Sequence, residues 1–357
     1  MLIEFKYNSM EGFLKSLIYK LFLLNLLFLD GFIIIFIYLC NRLLLKCNFI
    51  VERKLIVDFF MIQRLFFIIS ILNALIINSQ VIKDTSYSIN SEYKKQIKKF
   101  PYIKIVESKT QKNVFELNDE IYKTINNRDL HLDAFLKKSK SKLPAVIMVH
   151  GGGWKSGNKT LLKPLAQRIT EKGYNCFSVE YRLSDESKYP GAIEDVLSAI
   201  EFIKTNNTKY NIDTTKIVIL GCSSGAQMAS LIGTKYANKV KAVINLDGIL
   251  VFHHPQSKEG LLAANWLGGD YSEKKEIWED ASALTHVSDK SAPILFINSQ
   301  YERFHAGRDE MIAILNKYKI YNEIREIKDS PHTFWLFNPW FDETLNYITQ
   351  FLNKQLK

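Results

Sequence analysis

Two short segments carry residue types and spacings that suit acyl chemistry. Gly221-Cys222-Ser223-Ser224-Gly225 has the pattern G-x-S-x-G, directly after the apolar run Ile217–Leu220 and directly before a helical pattern from Ser224 to Lys235. A strand-to-helix turn this tight lifts the hydroxyl of Ser223 out at the end of a sheet, and the helix N-terminus behind it favours developing negative charge. His150-Gly151-Gly152-Gly153-Trp154 follows a second apolar run, Ala145–Val149. Three consecutive glycines let backbone N–H groups approach a ligand without side chains in the way. Fixed donors aimed at a tetrahedral oxyanion contribute about 2.7–4 kcal/mol each, and the N–H groups of Gly152, Gly153 and Ser224 are the candidates. A phosphate loop would need Lys-[Ser/Thr] at P-loop spacing or G-x-G-x-x-G, and neither is present.

A serine hydroxyl needs a base near neutral pH. Of the seven histidines, His332 in Ser330-Pro331-His332 is the one that follows the last predicted strand, as the chain order Ser…acid…His requires. His150 precedes the glycine loop and is expected to be a structural hydrogen-bonding residue. The acid is expected in the loop after Ile294–Ile297, where Glu302 stands; Asp309 and Asp329, three residues before His332, are the alternatives, helix capping being the other reading of Asp309.

The elements that must position these residues alternate. Leu130–Leu136 alternates apolar and polar residues as a half-buried strand does. The runs Ala145–Val149, Cys176–Tyr181, Ile217–Leu220, Val240–Leu246, Ile294–Ile297 and Glu323–Ile327 read as strands, most of them apolar throughout as buried parallel strands are. Helical spacing occupies Leu161–Glu171, the stretch from Pro190 through Ile203, Ser224–Lys235 and Phe341–Leu352. Antiparallel strands followed by βα units predict an α/β fold, a mostly parallel sheet with helices on both faces. Residues 247–292, the longest gap between strands, are a candidate cap or substrate-binding insertion.

With Glu180-Tyr181-Arg182-Leu183, Tyr189-Pro190 and Glu194-Asp195-Val196 between the glycine loop and the serine, residues 130–356 resemble α/β-hydrolase esterases of the hormone-sensitive-lipase and feruloyl-esterase-like group. Trp266-Leu267-Gly268-Gly269 and Ala281-Ser282 look like members acting on carbohydrate esters. The loop after Ile294–Ile297 lacks the family's usual Asp, and the elbow carries Cys222 and Ser224 where Gly and Ala are frequent. The resemblance implies carboxylic-ester hydrolysis through an acyl-enzyme, with no metal or organic cofactor.

An acetyl or feruloyl ester on a polysaccharide is the expected substrate. Trp154 and Trp335, with Phe334, Phe337 and Trp340 nearby, offer rings to stack on sugar faces, core packing being the other reading. Arg303, His305 and Arg308 would hold a uronate carboxylate. A general carboxylesterase of small esters and a non-catalytic, membrane-tethered binding protein are the alternatives.

Composition limits the remaining possibilities. The 357 residues include 47% hydrophobic and 24% charged residues, which excludes wholesale disorder. Four cysteines exclude a disulfide-built scaffold, and no Cys/His cluster has zinc spacing. Of the net charge of +10, residues 1–80 carry +3, and much of the rest lies in lysine-rich stretches such as Lys137–Lys142, without the basic and aromatic repeats of a nucleic-acid module, so no nucleic-acid partner is expected.

Residues 1–80 differ in kind. Met61-Ile-Gln-Arg64, the 13-residue apolar run Leu65–Ile77 and Asn78-Ser79-Gln80 have the anatomy of a signal peptide, too short to span a bilayer. Residues 1–60 then read as an extension from a mis-called start, Met61 being the initiator; a membrane anchor using both apolar stretches of 1–80 is the alternative. Residues 81–100 read as a polar linker and 101–357 as the catalytic domain, secreted or periplasmic.

Overall fold

The computed structural model describes residues 64, 84, 86–109 and 112–356. The chain divides into two units, Met1–Gln80 and Val81–Lys357, and every site residue expected from the sequence falls in the second. The signal-peptide and extension readings of 1–60 and 61–80 lie, Arg64 apart, outside the described residues.

The stretch expected to be a linker is partly built. Residues 89–96 form α1 (Ile89–Gln96), opened by a capping box in which the Ser88 and Ser91 side chains each accept from the other's backbone N–H. Strand β1 (Lys104–Ile105) follows. The sheet proper begins with the hairpin β2 (Val114–Ile125) and β3 (Arg128–Lys137), turning through Asn126 and Asn127, both with positive φ. Then come β4 (Leu143–Val149), α2 (Lys163–Glu171), β5 (Asn175–Val179), α3 (Gly191–Thr205), the single turn α4 (Asn207–Tyr210), β6 (Ile212–Cys222) and α5 (Ser224–Lys235). The second half runs β7 (Ala242–Leu246), α6 (Gly260–Leu267), α7 (Tyr271–Asp280), β8 (Ile294–Asn298), α8 (Arg308–Lys317), β9 (Asn322–Glu326), β10 (Phe337–Asn338) and α9 (Trp340–Gln355).

Eight strands form one sheet in the order β2-β3-β5-β4-β6-β7-β8-β9. The β2–β3 and β3–β5 pairs are antiparallel, and the remaining five are parallel. This is the α/β-hydrolase architecture expected from the strand and helix pattern. Side chains of each inner strand alternate between two cores. Ile147, Ile219, Val243 and Phe296 pack on one face with α3 and α5, and Met148, Leu220, Ile244 and Leu295 pack on the other with α2 and α9.

Pairing also sets the site's level. Cys222 lies opposite Leu246, and Leu246 opposite Ile297, so β6 and β7 end in line at their C-terminal edges, with β8 one residue longer. Ligand sites of open α/β sheets form at that edge. A second, two-stranded pairing of β1 with β10 joins residues 104–105 to the segment just after His332.

Candidate active site

Ser223 occupies the sharp turn between β6 and α5 with φ 54° and ψ −122°, a conformation that costs a non-glycine residue about 1–3 kcal/mol. Its neighbours make the turn possible. A Cβ on Gly221 would stand 2.1 Å from the Gly225 carbonyl oxygen, and one on Gly225 would stand 2.2 Å from the Val149 carbonyl oxygen. Both positions therefore require glycine, as the spacing of the motif implied. The Ser223 N–H donates to the Leu246 carbonyl at 2.8 Å, anchoring the turn to β7.

The histidine expected as base lies beside the serine. His332 Nε2 lies 2.8 Å from Ser223 Oγ, although 109 residues separate them in the chain. The imidazole is held on two sides: Phe304 stacks on it with ring centroids 3.4 Å apart, and Trp335 meets it edge-on at 5.4 Å.

The acid is Asp247. Its Oδ2 is 2.8 Å from His332 Nδ1. Glu302 is instead exposed on a 3-10 turn, Glu302–Phe304, and Asp309 and Asp329 are exposed as well. None of these three carboxylates reaches His332. The expectation that the acid follows β8 is thus corrected to the end of β7. The reason is register: Asp247 continues β7 where Ser223 continues β6, and it too has a left-handed backbone, φ 55°. A readable signal existed in Asp247-Gly248, an acid and a glycine directly after an apolar strand. A Cβ on Gly248 would stand 2.7 Å from the Ser223 carbonyl oxygen.

Asp247 is fully buried and surrounded by donors. Ser299 N–H (2.9 Å), His305 Nε2 (3.2 Å) and Asn298 Nδ2 (3.4 Å) reach Oδ1, and the Ser299 hydroxyl donates to Oδ2. Burial alone would push the carboxyl upward. Hydrogen bonds from His305 and His332 outweigh it and bring the group down to about 2. The carboxylate is therefore ionised wherever an imidazole base works.

The glycine loop packs directly on the elbow: a Cβ on Gly151 would stand 2.8 Å from the Cys222 carbonyl oxygen and 3.0 Å from Ser223 Cβ. Gly152 and Gly153 have φ of 130° and 62°. The backbone N–H groups of Gly152, Gly153 and Ser224 make no hydrogen bond among the described residues, Ser224 being the first residue of α5. His150 is buried, stacks on Tyr181 at 4.3 Å, and accepts the Tyr181 hydroxyl on its carbonyl at 2.9 Å, a structural role as expected.

The expected substrate contacts fare differently. Trp154 is 2% exposed, stacks on Trp266 at 5.2 Å and donates its Nε1–H to Gln227. Trp335 is 3% exposed beneath His332. Neither offers a free ring face to a sugar; both are core residues, since their large apolar area is best removed from water here. The cationic trio is also spent on protein groups. Arg303 pairs with Glu259 at 3.0 Å and lies over Phe304. Arg308 donates to Asn298 and Asp309, and His305 faces Asp247. Leu262 approaches the glycine loop, its Cδ1 standing 3.3 Å from where a Cβ on Gly153 would be. Cys176 and Cys222 are both buried free thiols.

Residues 132–314 match the BD-FAE family model. The chain belongs to the BD-FAE family. This is the hormone-sensitive-lipase and feruloyl-esterase-like group that the motifs resemble. The BD-FAE chain is 24% identical over 220 residues to esterase LipC of Mycobacterium tuberculosis, covering 56% of this chain and 53% of that one. It is 27% identical over 277 residues to probable carboxylesterase 5 of Arabidopsis thaliana, covering 66% and 85%. The chain spans about half the length of LipC and of the probable carboxylic ester hydrolase LipM from the same mycobacterium. Among solved structures, a truncated carbohydrate esterase from gut microbiota superposes with TM-score 0.57 at 19% identity, covering 68% of this BD-FAE chain and 96% of that one. The bifunctional GH43-CE protein of Bacteroides eggerthii gives TM-score 0.58 at 20% identity, covering 68% and 38%. At these identities the superpositions establish the fold.

Proposed function

We propose that this BD-FAE protein is a serine carboxylic-ester hydrolase whose substrates are acyl esters of carbohydrates. The observation that carries the reading is His332 bridging Ser223 and Asp247 with 2.8 Å contacts on either side. In this arrangement Ser223 Oγ attacks the ester carbonyl while its proton passes to His332 Nε2. Asp247 holds the Nδ1–H and stabilises the imidazolium. The N–H groups of Gly152, Gly153 and Ser224 receive the oxyanion. His332 then protonates the leaving alcohol, and water, deprotonated by the same ring, releases the acid.

Esterase LipC, carboxylesterase 5 and LipM support ester hydrolysis by their names. The carbohydrate part draws support from the GH43-CE and gut-microbiota esterase structures, and from the endo-1,4-beta-xylanase B of Butyrivibrio fibrisolvens, 24% identical over 265 residues. Within the chain, Leu262 beside Gly153 and the almost fully exposed Leu261 favour a second reading, hydrolysis of small alkyl esters, because an aliphatic lip suits an acyl or alkyl chain. Acetylated xylan set against p-nitrophenyl butyrate separates the two: faster acetate release from xylan is expected, and a marked preference for longer acyl chains overturns the carbohydrate reading. A fluorophosphonate probe should label wild-type protein at Ser223; an unlabelled, inactive protein overturns the hydrolase reading.

The same proposal includes export directed by residues 61–80. N-terminal sequencing of protein recovered outside the cytoplasm should begin near Ser79 or Gln80, and an intact Met1 would overturn a cleaved leader at residues 61–80.

A further inference from the structure

Two imidazoles share the Asp247 carboxylate. His332 takes Oδ2 at 2.8 Å, and His305 takes Oδ1 at 3.2 Å. Only the first ring touches Ser223. The second is also largely enclosed, with 11% of its side chain exposed.

Its hydrogen position follows from its other neighbour. His305 Nδ1 faces Arg308 Nη1 at 3.4 Å. A guanidinium can only donate, so Nδ1 accepts and the ring hydrogen sits on Nε2, pointing at Asp247. Arg308 is itself fixed, donating from Nη1 to Asn298 Oδ1 at 2.9 Å and from Nε to Asp309 Oδ1 at 2.8 Å. A second proton on His305 would lie against this cation. The charged groups facing the pair are His332 from the loop after β9, Arg308 with its partner Asp309 from α8, and Arg303 with its partner Glu259 across the Phe304 ring.

We propose that His305 is a positioning residue for ester hydrolysis: as a neutral Nε2–H donor it turns Asp247 so that Oδ2 serves His332, and it draws charge from the carboxylate. The inference rests on the hydrolase reading above. Its sign is unusual. A donor to Oδ1 weakens the pull of Asp247 on the His332 proton, so losing it makes the carboxylate a stronger acceptor and favours the charged ring. The orientation of the carboxylate is lost at the same time.

The test compares wild type, His305→Phe and His305→Gln, using kcat/KM for p-nitrophenyl acetate across pH and thermal midpoints. His305→Phe is expected to lower kcat by about 10- to 100-fold, the effect of one charge-assisted hydrogen bond, with little change in KM. It should also move the acid-side fall of kcat/KM upward by about 0.5 pH unit. His305→Gln, whose amide can still donate, should restore most of both. An unmoved acid limb with wild-type kcat overturns the proposal, and so does a rate loss that Gln fails to rescue at equal thermal midpoint. Nitrogen-15 imidazole shifts of wild-type protein give a reading independent of any variant's folding: the Nε2–H form of His305 is expected, and a doubly protonated or Nδ1–H ring at neutral pH overturns it. Wild-type protein that hydrolyses nothing and is not labelled at Ser223 removes the hydrolase reading and this proposal together. Active wild type with indifferent His305 variants removes the proposal alone.

Discussion

Ser223 and Asp247 leave neighbouring strands at the same level, each as the first residue past the strand end and each with a left-handed backbone, φ 54° and 55°. The pairing of Cys222 with Leu246 sets this correspondence, and His332 bridges the two side chains from the loop after β9.

Removing the nucleophile should abolish acyl-enzyme formation. Ser223→Ala is expected to lower kcat by about 10⁶-fold, with the fold and ligand affinity kept, because the remaining groups act only as a unit. Fluorophosphonate labelling together with ester turnover measures this.

Asp247→Asn should lower kcat by about 10⁴-fold, since an amide fails to hold the required imidazole tautomer. Glu302→Gln, Asp309→Asn and Asp329→Asn alter exposed side chains and should each stay within about twofold of wild type, in line with small surface effects. A comparable loss in Glu302→Gln would show that the acid lies after β8.

Asp247 also ties stability to acid pH. Its folded carboxyl titrates at about 2, below the ordinary 3.8. A depressed value means the folded state binds the proton less tightly than the unfolded chain. The stabilisation is therefore fully present above about pH 4 and is lost as pH falls towards 2; it is worth about 2 kcal/mol. Chemical denaturation at pH 6 and pH 2.5 should show a smaller acid loss in Asp247→Asn than in wild type. An equal loss would assign the acid sensitivity to other groups.

Arg182 and Asp195 make a buried pair away from the reacting atoms. Arg182 donates to Asp195 from its backbone N–H, Nε and Nη2, and Lys123 adds a contact at 2.6 Å to the fully buried carboxylate. Asp195→Ala removes the carboxylate that Arg182 and Lys123 share and should cost about 3–5 kcal/mol of stability, while Arg182→Ala leaves it to Lys123 alone and should cost less. Urea denaturation of the single variants and of the double variant measures it, and the double should cost less than the sum. The pair ties Arg182, just after β5, to Asp195 in α3 and so braces the β5–α3 connection.

Much of this protein follows from local sequence. G-x-S-x-G between an apolar strand and a helix determined Ser223 and its glycines, because steric limits at a tight turn act within five residues. The alternation of apolar runs with helical spacing determined the parallel sheet, and the position of His332 after the last predicted strand marked it as the candidate base. The acid was not readable in the same way. A carboxylate serves His332 only if it reaches Nδ1, and that depends on which strand ends beside β6 and at what height, a matter of pairing between segments distant in the chain. The aromatic and cationic side chains near the site carried the same ambiguity: tertiary packing buried Trp154 and Trp335 and committed Arg303, His305 and Arg308 to protein partners. Residue type sets what a side chain is able to do, and its neighbours in space decide which of those things it does.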